Sequence, residues 1–218
     1  MLNSSVRKMT VSGWLKKHHS EEFSSPLKLQ KFLFFYEAYS KIEDDSSEFK
    51  SLKGYPNGPV FSDVYGDYRY RSDDFSLGAE EAYEIYKPSI NEERAKFSGF
   101  LVKIQNELEL SDLTHELNIW NSKKSFIERG DKQIPLDEKD LNSSDADFLL
   151  SLREMYPIEY IDSVKVIQIS GKSFIINHSD VERLTEEQCS LFTTLAKDDN
   201  LTNPVYVTLD EDGVVLVD

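Results

Sequence analysis

A single cysteine, Cys189, in 218 residues leaves no partner for an intrachain disulfide and too few thiols for a cysteine zinc site. Basic residues are also scarce. Lys and Arg number 25 against 40 Asp and Glu, a formal net charge of -15. That balance excludes a general phosphate-neutralising surface for nucleic acid. No apolar run approaches the ~20 residues of a membrane-spanning helix. The opening residues, MLNSSVRKMTVSGWLKK, lack the apolar core of a signal peptide. A cytoplasmic protein with no membrane insertion is therefore expected. Familiar catalytic spacings are missing too: the sequence contains no G-x-x-x-x-G-K-[ST], G-x-G-x-x-G, H-E-x-x-H or G-x-S-x-G. Ser170-Gly171-Lys172-Ser173 shares the end of a phosphate loop but lacks its upstream glycine and falls between two expected strands. No catalytic residue, cofactor site or metal site is expected. Hydrophobic residues at 39% and aromatics at 12% do suffice for a folded core.

The chain is organised around residues 24–70. Ser25 suits a helix N-cap and Pro26 the first helical position, where its missing N–H costs nothing. Leu27, Leu29, Phe32, Leu33, Phe34, Phe35, Tyr36, Ala38, Tyr39 and Ile42 then cover most of a helix circumference, leaving Gln30, Glu37 and Lys41 as a polar arc. Such a helix belongs inside a domain, with Leu29, Leu33 and Tyr36 as framework. Lys31 sits among the aromatics. It snorkels to water, pairs with one of the many carboxylates, or serves a binding role. Residues 54–59, GYPNGP, read as irregular. Pro59 then suits a helix start, with Val60, Phe61, Val64, Tyr65 and Tyr68 at helical spacing. Tyr65, Tyr68, Arg69, Tyr70 and Arg71 form the aromatic–arginine grouping enriched at protein interfaces.

Elsewhere the body reads as further helices. Residues 5–18 form one, interrupted by Gly13 and ending at His18 and His19, which are read as a solvated helix end ahead of a metal or acid–base site. Residues 72–89 read as a polar loop with a short helical piece, and residues from 89 on as a long amphipathic helix. Ser111 is a candidate cap for a following helix, which places Thr114, His115 and Glu116 in its first turns. There His115 bridges helices through both ring nitrogens or joins a polar recognition site. Beyond Pro157 the pattern changes to two hairpins, VKVIQI with SFIIN and PVYVTLD with VVLVD, separated by a helix that buries Cys189. The expected fold class is α+β, predominantly α-helical: a helical body over residues 1–157 and a small C-terminal α+β region over 158–218, either separate or sharing one core.

Three ordered blocks resemble one family. Ser25-Pro26-Leu27-Lys28-Leu29-Gln30-Lys31-Phe32-Leu33 looks like the TPLKLQKLL opening of the Panacea domain, the SocA-like antitoxin domain also known from phage-associated GepA proteins. Gly58-Pro59-Val60 with Val64, Tyr65 and Tyr68 resembles its GPVxxxVYxxY block. Ser111, Leu113, Thr114, His115 and Trp120 resemble its LSxLTHxxxPW block. The Ala-Trp that usually precedes Gly-Pro-Val is replaced by residues of LKGYPN, and residues 158–218 have no counterpart in the resemblance.

The resemblance implies an antitoxin, not an enzyme. It would neutralise a cognate toxin by direct binding, the toxin encoded by the adjacent gene, with delivery to a host protease as a variant of the mechanism. On that reading Pro26, Leu27, Leu29, Gln30, Gly58, Pro59, Val60, Thr114 and Trp120 are structural, and Lys31, Tyr65, Tyr68, Arg69, Arg71 and His115 are the candidate partner-binding residues. A second reading, motivated by the net charge, is a phage or mobile-element protein whose acidic surface mimics nucleic acid. A third, an enzyme, requires Lys31, Tyr65 and His115 to converge.

Overall fold

Ser25 begins the central helix as its sequence suggests. Its side chain accepts the Lys28 N–H, and Pro26 opens a helix that runs to Ile42. A computed structural model describes residues 1–218, and this helix is the third of an N-terminal run: α1 (Val6–His18), α2 (Ser20–Ser24) and α3 (Pro26–Ile42). Leu29, Phe32, Leu33, Phe34, Phe35, Tyr36, Ala38 and Tyr39 of α3 are all buried. The polar arc is not the solvated stripe that its composition suggests, since Gln30 and Glu37 are buried as well. Glu37 accepts from the Arg7 guanidinium at 2.7 and 3.1 Å and from the Glu48 N–H at 2.8 Å. Only Lys41 of the arc faces water.

The GYPNGP stretch is ordered, contrary to the irregular reading. Strand β1 (Leu52–Tyr55) pairs antiparallel with β2 (Gly58–Phe61), with Tyr55 opposite Gly58. The turn has Pro56 at its second position and Gly58 at its fourth, both favoured in a type I turn. Gln30 acts as an extra strand edge. Its side-chain amide accepts the Phe61 N–H at 2.7 Å and donates to the Phe61 carbonyl at 3.4 Å. Pro59 therefore lies in a strand and starts no helix; α4 (Ser62–Tyr70) begins three residues later.

Helix α5 (Ser72–Tyr86) contains the expected short helical piece and also takes in most of what reads as polar loop before it. Phe75 and Ala79 are its buried residues, and α1 packs against it. Gly13 of α1 is a close-approach residue: a Cβ there would lie 2.1 Å from the Ala79 carbonyl oxygen. The chain continues with α6 (Glu92–Ile104), α7 (Glu107–His115), α8 (Asn118–Asn121), α9 (Lys124–Glu128), β3 (Ile134–Pro135) and α10 (Ser143–Met155). β3 adds to the free edge of β1, giving a sheet of order β2-β1-β3. Ser111 lies inside α7 and caps nothing, so Thr114 and His115 end that helix instead of starting one.

Two buried cations in this region have carboxylate partners. Lys8 meets Asp63 at 2.9 Å and Glu48 at 3.4 Å. Arg94 meets Glu43 at 2.5 Å and Asp45 at 3.1 Å. Such pairing offsets the cost of burying charge.

The chain divides into two compact units, residues 1–102 with 107–155, and residues 103–106 with 156–218. The second contains α11 (Ile158–Ser163), β4 (Val164–Ile169), β5 (Lys172–Asn177), α12 (His178–Val181), α13 (Glu186–Leu195), β6 (Val205–Leu209) and β7 (Val215–Val217). Its sheet has the order β4-β5-β6-β7, with two antiparallel hairpins joined by a parallel β5–β6 pair. Phe174, Ile176, Phe192, Val205 and Val207 form its core, and the Phe174 and Phe192 rings stack at 5.1 Å. Thr185 and Gln188 make a reciprocal capping box at the start of α13. Cys189 on that helix is exposed, not buried, because the helix packs on the sheet through Phe192 and turns the cysteine face outward. The fold is thus a predominantly helical α+β structure with two small sheets.

Candidate functional site

Three distant chain segments meet at the tip of the β1–β2 hairpin. Lys31 of α3 donates from Nζ to the Asn57 carbonyl and to Thr114 Oγ1, the latter at 2.9 Å. Trp120 of α8 donates from Nε1 to the Tyr55 carbonyl at 2.9 Å. His115, at the end of α7, hydrogen-bonds the backbone of Pro56, whose only polar group is its carbonyl. The carbonyls of Tyr55, Pro56 and Asn57 are thus held by Trp120, His115 and Lys31. The His115 and Trp120 rings stack with centroids 3.7 Å apart and planes at 20°. Thr114 Oγ1 accepts from Lys31 while bonding back to the Ser111 carbonyl at 3.0 Å, which orients the hydroxyl.

Gly58 is dictated by this arrangement. Its φ is +100°, and a Cβ there would lie 2.0 Å from Lys31 Nζ and 2.4 Å from Thr114 Oγ1. Any side chain at this position would collide with the latch.

Beside the hairpin lies a cleft of about 280 Å³. Pro26 and Leu27 of α3, Tyr55 and Pro59 of the hairpin, and Tyr65 of α4 supply most of its wall; Gln30, Lys31 and Asn57 supply the polar part. The Tyr55 and Tyr65 ring centroids are 6.2 Å apart. Tyr65 is 39% exposed and Pro56 and Asn57 are exposed, so the rim is open to water.

Lys31 is the unusual group. It is 1% exposed, and its hydrogen bonds go to one carbonyl and one hydroxyl, with no carboxylate. Burial lowers its pKa to about 7. Burial also lowers that of His115, helped by the nearby Lys31 charge. Burial raises that of Tyr55. His115 Nε2 is buried without a partner, so the ring does not bridge helices through both nitrogens.

The other candidates fall outside the cleft. Tyr68 donates to the Phe23 and Ser24 carbonyls at 3.2 and 3.0 Å, fixing the corner between α2 and α3. Arg71 pairs with the buried Asp67 and donates to the Met1 carbonyl. Asp67 also accepts the Asn3 and Ser4 N–H groups at 2.6 and 2.7 Å, so Arg71 helps anchor the N-terminus. Arg69 and Tyr70 are exposed. The Tyr65 to Arg71 grouping is therefore divided: Tyr65 lines the cleft, Tyr68 and Arg71 serve the framework. Sequence reasoning missed Tyr55, Pro56 and Asn57 as site residues; the Pro-Asn-Gly turn between two apolar-containing runs was the available signal.

No helix is long and apolar enough to cross a membrane. No group of three or more His, Cys, Asp or Glu side chains is placed to hold a metal ion. Comparison with models of known protein families, with characterised proteins and with solved structures finds no match to this chain.

Proposed function

We propose that the protein is a cytoplasmic antitoxin of the Panacea type that neutralises a cognate toxin by direct binding, with the cleft beside the β1–β2 hairpin as its contact face. The observation that carries this reading is the latch. Lys31 and Trp120, in the first and third of the blocks on which the resemblance rests, lie 89 residues apart in sequence. Lys31, His115 and Trp120 of those two blocks hold three consecutive backbone carbonyls, Tyr55 to Asn57, which directly precede the Gly58-Pro59-Val60 block. Residues in the first two blocks also line the cleft. A rigid hairpin tip beside an open, tyrosine-walled recess has the make-up of a protein contact: aromatic anchors around a desolvated centre. Delivery of the bound toxin to a protease is a variant of the same mechanism.

Nucleic-acid mimicry draws less support. Glu37, Glu43, Glu48, Asp63 and Asp67 are engaged in internal ion pairs and hydrogen bonds, which removes them from any phosphate-like strip. The test is co-expression with the product of the adjacent reading frame. Restored growth and a co-purifying complex support the proposal; a product that is harmless alone, or no complex, overturns it.

A further inference from the structure

We propose that the cleft captures the free C-terminal carboxylate of a partner polypeptide whose last side chain is apolar, with Lys31 as the counter-charge. This rests on the cleft being the partner's docking site, and names the chemistry it would recognise there.

Lys31 differs from the other deeply buried cations of the protein. Lys8 and Arg94 are as buried as Lys31, and each has two carboxylates within ion-pair distance. Lys31 has none, although the chain carries 40 acidic residues. A buried ammonium without a counter-ion is costly, and an ammonium has three donors. Two of these are used, on the Asn57 carbonyl and the Thr114 hydroxyl. In the protonated form one N–H and one unit of charge remain unmatched on a residue that forms part of the cleft. An incoming carboxylate supplies both.

The rest of the cleft specifies what carries that carboxylate. Its walls are largely prolyl, leucyl, valyl and tyrosyl. At about 280 Å³ it falls below the ~300–1,000 Å³ of drug-sized ligand sites. A chain end fits: the carboxylate meets Lys31 and the last side chain packs among Leu27, Pro59 and Tyr65. An internal Asp or Glu fits less well, because its one or two methylenes bring polar backbone, not apolar surface, against that wall. Capture of a terminal carboxylate is a recurring mode of peptide recognition.

The test uses the full chain at pH 6, where Lys31 is protonated, and three probes: N-acetyl-leucine, its amide, and N-acetyl-aspartate α-amide, which carries only a side-chain carboxylate. Backbone amide resonances of Asn57, Gly58, Val60 and Tyr65 are followed by NMR during titration. Expected are saturable shifts with N-acetyl-leucine and at least tenfold weaker binding of both other probes. Tyr65→Ala, at an exposed position, should weaken N-acetyl-leucine several-fold, and Lys31→Met should abolish the preference for acid over amide. Equal binding of acid and amide, equal binding of the aspartate probe, or no shift at these residues overturns the inference. No toxin is needed, so this result is separate from the outcome of co-expression.

Discussion

Lys31 Nζ occupies the space that a side chain on residue 58 would fill, 2.0 Å from the position of its absent Cβ. The glycine and the lysine are therefore one structural unit, and Gly58 cannot change while Lys31 stays in place. Gly58→Ala should destabilise the protein by at least ~2 kcal/mol, from the strained φ and the collision together. Urea unfolding checks this. Lys31→Ala combined with Gly58→Ala should cost less than the sum of the two single changes, because the principal clash is then gone.

Lys31 also predicts a pH dependence. Its folded pKa of about 7 lies below the ordinary 10.5. Between these values the unfolded chain binds a proton that the folded chain does not, so stability rises with pH across the window and is lost as pH falls through about 7. Lys28, also lowered by burial, contributes with the same sign. His115 acts lower, below its ordinary 6.5. Tyr39, raised by burial, opposes the trend only where unfolded tyrosine ionises, near pH 10. Urea midpoints measured from pH 7 to 9 should therefore rise, and rise less in Lys31→Met. Equal slopes would contradict a buried, carboxylate-free lysine.

Gln30→Leu should cost ~1–3 kcal/mol in the same unfolding experiment. The change leaves the Phe61 N–H, now 2.7 Å from Gln30 Oε1, buried without an acceptor. Gln30→Glu keeps an acceptor but loses the donor to the Phe61 carbonyl and buries a charge, so it should not rescue.

Among the two arginines of the α4 region, Arg69→Ala should leave stability within ~0.5 kcal/mol, as expected for an exposed site. Asp67→Ala should cost several times more, because it removes a buried carboxylate that holds the Asn3 and Ser4 N–H groups as well as Arg71. Thermal melts separate the two.

Local signals carried much of this fold. Ser25 and Pro26 marked the start of α3, and alternating Val and Ile marked both hairpins of the second unit. What escaped was set by tertiary contact. Two glycines and two prolines made residues 54–59 look irregular, yet the Gln30 amide completes β2 from one side and β3 pairs with β1 on the other. Helix α5 has a polar composition but is held along α1, where Gly13 admits the Ala79 carbonyl. The arginine of residue 71 resembled an interface residue because no sequence pattern announces that the N-terminus folds back onto Asp67. For the site, Lys31, Tyr65 and His115 stood out as residues, but the absence of any carboxylate around Lys31 is a property of the assembled structure.

The most direct test of the central claim is growth rescue by Tyr65→Ala and Lys31→Met when each is co-expressed with the adjacent gene product. Each variant is first shown to fold by thermal melting. Expected is full rescue by the unaltered protein and by Arg69→Ala, with rescue and complex formation lost in the two cleft variants. Full neutralisation by folded Tyr65→Ala and Lys31→Met, or an adjacent product that needs no neutralising, would contradict it.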